Sequence, residues 1–142
     1  MAYETETIVK AQNAADSAIA HLKSALTYLD QAYNWGIADI LGGMLIVSLV
    51  KQKKIKNAEA ELEAAIRYIN RVLSLTNGHK ELHEFLVNTS SFVKFTDSWI
   101  DNPISDIATQ NKIDAARDEI VTLIEKLQQI KTGLHKQRLY WL

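Results

Sequence analysis

The 142-residue chain contains no cysteine, one proline and five glycines. Without cysteine there is no disulfide, no thiolate nucleophile and no Cys-based zinc site. So few turn-forming residues favour a handful of long helices over many short strands. Neither sign of charge dominates, with Lys plus Arg at 16 and Asp plus Glu at 17. No net field therefore draws the chain to nucleic acid or to an anionic surface. A membrane-length apolar run is also missing. The longest apolar stretch, Ile37 to Val50, has 14 residues and includes Asp39 and Gly42-Gly43. As a helix it would measure about 21 Å, short of the ~20 residues that a bilayer core about 30 Å thick requires. No Glu-x-x-His occurs, which removes a ferritin-like di-iron bundle. Neither GxSxG nor GxxxxGK[ST] is present.

What the chain does contain is ordinary globular material, 47% hydrophobic and 23% charged, enough for one domain with a single core. The opening MAYETETIVK is acidic and polar, unlike a signal peptide, so a cytoplasmic location is the expectation.

Apolar and small residues recur in steps of three and four at Ile8, Ala11, Ala15, Ala18, Leu22, Ala25, Leu29 and Ala32. That spacing predicts a helix with one buried seam, which Ile19, Leu26 and Tyr33 widen beyond a bare coiled coil. A second seam runs Ile55, Ala58, Leu62, Ala65, Ile69 and Val72, and closes at Thr76-Asn77-Gly78. A third segment carries Leu82, Phe85, Leu86, Phe92, Val93, Phe95, Trp99 and Ile100; helix is the better reading, although NTSSFV at its centre has strand-like composition. Asn102-Pro103 suits a stop followed by a new start. The last seam is Ile113, Ala116, Ile120, Leu123, Leu127, Ile130 and Leu134, blurred by Gly133 and the tail HKQRLYWL. Four such segments predict an all-α, antiparallel four-helix bundle. Its first hairpin would span about residues 5–76 and its second about 80–136.

The two halves echo one another. LVKQKKIKNAEAELEAAI from Leu49 aligns with IATQNKIDAARDEIVTLI from Ile107, at an offset of 107 − 49 = 58. Gln52, Lys54, Ile55, Ala58 and Glu61 match Gln110, Lys112, Ile113, Ala116 and Glu119. Upstream, Asp39-Ile40 matches Asp106-Ile107 at 106 − 39 = 67, so ILGGMLIVS reads as a nine-residue insertion at the first bend. Two related hairpins are the inference; two amphipathic helices obeying one pattern are the alternative. Within the insertion, Gly42-Gly43 would permit a sharp turn or a close helix approach. Burial of this corner is the simpler account, with contact between a membrane surface and Lys51, Lys53, Lys54 and Lys56 as the other.

Trp35, Gly36, Asp39, Leu41, Gly42 and Gly43 form a W-G-x-x-D-x-L-G-G pattern, followed by LVKQKKI and later by FVKFTDSWID and IATQNKI. In these pieces, over about residues 33–125, the chain resembles a group of helical proteins from Gram-positive bacteria. The resemblance implies a helical fold and a bacterial origin, and no activity.

Candidate chemistry is sparse. His79 and His83 are four apart and would share a helical face, but HKELH lacks the HExxH arrangement and has no third ligand nearby. Asp97, Asp101, Asp106 and Asp39 form a carboxylate series that helix capping explains as well as acid–base or Ca²⁺ chemistry. His21 and His135 have no partner in the sequence. No catalytic residue, metal site or cofactor is implied. The leading expectation is a non-enzymatic interaction or structural module that pairs with itself, as in a homodimer, or with a protein partner. Trp35, the 40–50 stretch, Tyr140 and Trp141 would supply its surface. The rival is a small-molecule or metal-binding bundle with Trp35, Asp39, Trp99 and Asp106 gathered where the two bends meet. Nucleic acid is not an expected partner, since no aromatic residues interleave with the lysine cluster.

Overall fold

A computed structural model describes residues 2–42, 45–76 and 110–141, with side chains over 5–34, 52–76 and 113–136. Among the described residues every element is helical: α1 (Ala2–Gly42), α2 (Leu45–Leu75) and α3 (Gln110–Trp141). The chain is all-α in these residues, with three helices rather than four. The segment expected as a further helix, around residues 82–100, lies outside them.

Each seam read from the spacing is the buried face of its helix. All eight α1 positions from Ile8 to Ala32 are buried, as are the six on α2 from Ile55 to Val72 and the seven on α3 from Ile113 to Leu134. They form one core cluster, against which Leu26, Tyr28, Tyr33 and Tyr68 pack half-buried. Removing this apolar surface from water is the main stabilising term. Ala14, Ala64 and Ile124 are also buried, each one residue from a seam position, as a stripe broader than a two-residue heptad seam requires.

The helices extend past the seams that announce them. α2 begins at Leu45, ten residues before Ile55, so ILGGMLIVS spans the end of α1 and the start of α2. α3 runs through Gly133 to Trp141. An interior glycine costs only about 1 kcal/mol, and the buried Leu134 that follows it holds the chain in register. At the other end of α2, Thr76 turns back on the last turn. Its N–H donates to the Val72 carbonyl at 2.9 Å and its Oγ1 donates to the same oxygen at 2.8 Å. Both bonds go to one of the carbonyls that a helix end leaves open.

α1 is the common neighbour of α2 and α3, and both run antiparallel to it. Toward α2, His21 meets Glu61 and Tyr28 lies under Lys54, a step of seven forward on α1 and seven back on α2. Toward α3, Asp16 pairs with Lys131 and Asp30 with Arg117, a step of 30 − 16 = 14 against 131 − 117 = 14. Steps of seven are two turns of a supercoiled helix, so each interface repeats in heptads. The α2 register brings Ala18 level with Ala64 and Ala25 level with Asn57, each next to a fully buried alanine, Ala65 and Ala58. Alanine there lets two backbones approach closely, where larger side chains would hold them apart.

The segments that echo each other in sequence are not level in space. His21 is level with Glu61; five residues along α1 from Asp16, it is also level with Lys126, since 131 − 5 = 126. The structural offset is 126 − 61 = 65, against 58 in the alignment. The matched segments therefore lie on α1 one heptad apart, about 10 Å at ~1.5 Å per residue.

Candidate functional site

Of the four residues expected to form a site, Trp35 and Asp39 fall on the last two turns of α1, and Trp99 and Asp106 lie outside the described residues. His79 and His83 also lie outside them. Trp35, the 40–50 stretch, Tyr140 and Trp141, expected as a partner surface, lie outside the described side chains. Nine residues beyond Lys131, Tyr140 comes level with Thr7 of α1, whereas Trp35 and the 40–50 stretch belong to the opposite end. The 28 residues between those levels span about 42 Å of helix.

The polar chemistry that is described lies along the helix seams. His21 Nδ1 and Glu61 Oε2 are 2.7 Å apart, with both side chains about one-third exposed. The imidazole also stacks on the Tyr68 ring, centroids 5.5 Å apart and planes 13° from parallel. One turn-pair along, the Lys54 ammonium lies 5.8 Å from the Tyr28 centroid, close enough for attraction to the ring face. His21 had no partner in the linear sequence. It finds one forty residues away, a relation that spacing cannot reveal.

On the α3 side, Arg117 makes three contacts at once. Its Nε is 2.6 Å from Asp30 Oδ1, its Nη1 is 3.4 Å from Asp114 Oδ1, and its guanidinium carbon is 4.8 Å from the Tyr33 centroid. The Asp30 oxygen is buried and meets the charge at ion-pair distance without an aligned hydrogen bond. Beside it, Gln31 Oε1 is buried with no hydrogen-bond partner among the described residues. Lys131 pairs with Asp16 further along the same seam.

Two surface clefts border these contacts. One, of about 190 Å³, is lined by Lys10, Asn13, Ala14, Ser17, Tyr68 and Arg71 on the α1–α2 side. The other, of about 420 Å³, is lined by Gln12, Gln128, Lys131, Thr132 and His135 on the α1–α3 side. Both open broadly to solvent, unlike the enclosed, mostly apolar cavities that hold small ligands. Among the described residues no three His, Asp or Glu side chains converge as a metal site, and no helix is long and apolar enough to cross a membrane. Chemically, the arrangement holds helices in register. No family model matches the chain, and comparison with curated proteins and with solved structures returned no match.

Proposed function

We propose that the chain is a non-enzymatic helical interaction or structural module, whose work is to present helix surfaces to a protein partner or to another copy of itself. The observation that carries this reading is where the polar side chains of the described residues go. His21, Glu61, Asp30, Arg117, Asp16 and Lys131 are spent between helices, and the clefts beside them are shallow. A catalytic or ligand site needs convergent polar groups facing an enclosed space. In this reading the chain is a four-helix bundle of two related hairpins in the cytoplasm, with the spacing of Leu82 to Ile100 supporting the further helix.

Native mass spectrometry of the protein recovered from its host tests the proposal. A stoichiometric protein partner or a multimer of the chain, with no small molecule retained, is the expected result. A monomer carrying a bound metal or small molecule would replace it with the ligand-binding alternative around Trp35, Asp39, Trp99 and Asp106. Dialysis against divalent metals followed by elemental analysis would then identify the ligand class.

A further inference from the structure

The outward faces of α2 and α3 carry opposite charge. On α2 the residues directly away from the core are Lys53, Lys56, Ala60, Glu63, Arg67 and Arg71, all exposed, at helical steps of three and four. Four cations against one carboxylate make this a basic stripe. On α3 the corresponding face reads Asp114, Asp118, Val121, Glu125, Gln128 and Thr132, all exposed, with no cation until Lys136 at its far end. Val121 is 42% exposed and is the one large hydrophobic residue left exposed among the described residues. It sits at the centre of the acidic stripe as Ala60 sits within the basic one. Among the described residues, Lys53, Lys56, Asp118 and Glu125 take part in no ion pair.

The two stripes also match in spacing and direction. Lys53 precedes Ala60 by seven residues, and Asp114 precedes Val121 by seven; Lys56 and Asp118 stand four and three residues before the same centres. Both helices run antiparallel to α1 and hence parallel to each other. Two identically oriented copies can therefore set α2 of one beside α3 of the other, Val121 against Ala60, with Lys53 and Lys56 facing Asp114 and Asp118.

We propose that a second copy of this chain docks in this way, the basic face of α2 on the acidic face of α3. The proposal rests on the interaction-module reading and names its partner. Because the two stripes belong to different helices flanking α1, the contact is head-to-tail and leaves one free stripe at each end. Association then continues beyond a dimer as concentration rises. Complementary exposed charge contributes orientation and encounter rate, and is weakened by salt.

Sedimentation equilibrium of the full chain tests this at low and at roughly 0.5 M salt. The expected result is a concentration-dependent mass above the monomer at low salt, with association weakened at least tenfold at high salt. The double variants Lys53→Glu/Lys56→Glu and Asp118→Lys/Glu125→Lys should each be monomeric alone, with unchanged helical circular dichroism. An equimolar mixture of the two should associate again, a recovery that misfolding cannot produce. If charge reversal unfolds the chain, Lys53→Gln/Lys56→Gln replaces it, with weakened association expected. A wild-type monomer in all salts overturns the proposal, as does a mixture that stays monomeric. So does a monomer that binds anionic lipid vesicles through the α2 lysines. Association that ignores both salt and charge reversal overturns this contact but leaves the interaction-module reading standing. A monomer with a tightly held small molecule overturns both.

Discussion

Arg117 on α3 and Asp30 on α1 approach to 2.6 Å, and the same guanidinium lies 4.8 Å from the ring of Tyr33, almost one turn further along α1. One side chain thus fixes both the sideways and the lengthwise position of α3. Arg117→Ala should destabilise the fold by about 1–2 kcal/mol, since the pair is partly exposed and solvent screens it. Arg117→Lys should recover only part of this, because an ammonium lacks the planar fork that pairs and stacks together. Urea midpoints for the two variants check the ranking. An equal loss for both would show that charge alone matters at this position.

His21 joins two α2 residues, hydrogen-bonded to Glu61 at 2.7 Å and stacked on Tyr68 at 5.5 Å. A double-mutant cycle of His21→Ala with Tyr68→Ala should return a coupling of about 0.5–1.5 kcal/mol, the range for ring pairs beyond simple burial. A cycle of His21→Ala with Glu61→Gln reads the polar arm separately. Coupling near zero in both cycles would make the cluster a surface coincidence.

Ala18 and Ala25 are fully buried on the α1 face that meets α2, whereas Ala20 is exposed. Ala18→Leu or Ala25→Leu should destabilise by about 1–3 kcal/mol through overpacking. Ala20→Leu should stay within about 0.5 kcal/mol of the wild type, as a surface change does. In the opposite sense, Leu22→Ala should cost about 2–5 kcal/mol by opening a cavity. Thermal or urea unfolding of the four variants tests the close approach directly, and a harmless Ala25→Leu would refute it.

Thr76 is 1% exposed, the one buried polar side chain among the described residues, and its hydroxyl donates to the Val72 carbonyl at 2.8 Å. Thr76→Val keeps the volume and removes the donor, so a loss of about 0.5–1.5 kcal/mol is expected. Thr76→Ser should keep the hydrogen bond and lose only the methyl contact. Hydrogen exchange in the last turn of α2 should quicken in the valine variant and hardly change in the serine variant.

Much of the helical core was legible in the residue order. The seams through Leu22, Leu62 and Leu127 are buried where their spacing placed them, because a buried stripe leaves a trace every three or four residues in any helix that makes one. Helix ends were less legible. The start of α2 at Leu45 lies in a stretch that is apolar all round and so has no periodicity to read. The site expected around Trp35, Asp39, Trp99 and Asp106 rested on sequence likeness between the two bends. The polar residues that do meet, His21 with Glu61 and Asp30 with Arg117, carried no local mark at all.

Which face of each helix turns inward was determined by the sequence alone, since amphipathic spacing is a property of one segment. How the helices stand lengthwise against each other was decided only by the tertiary structure. A slip of seven residues returns every seam to itself and leaves the apolar pattern satisfied. What breaks that degeneracy is pairing between residues far apart in the chain: 40 positions from His21 to Glu61, 87 from Asp30 to Arg117 and 115 from Asp16 to Lys131. Those side chains meet in one register, and the same register sets the echoing segments of α2 and α3 a heptad apart on α1.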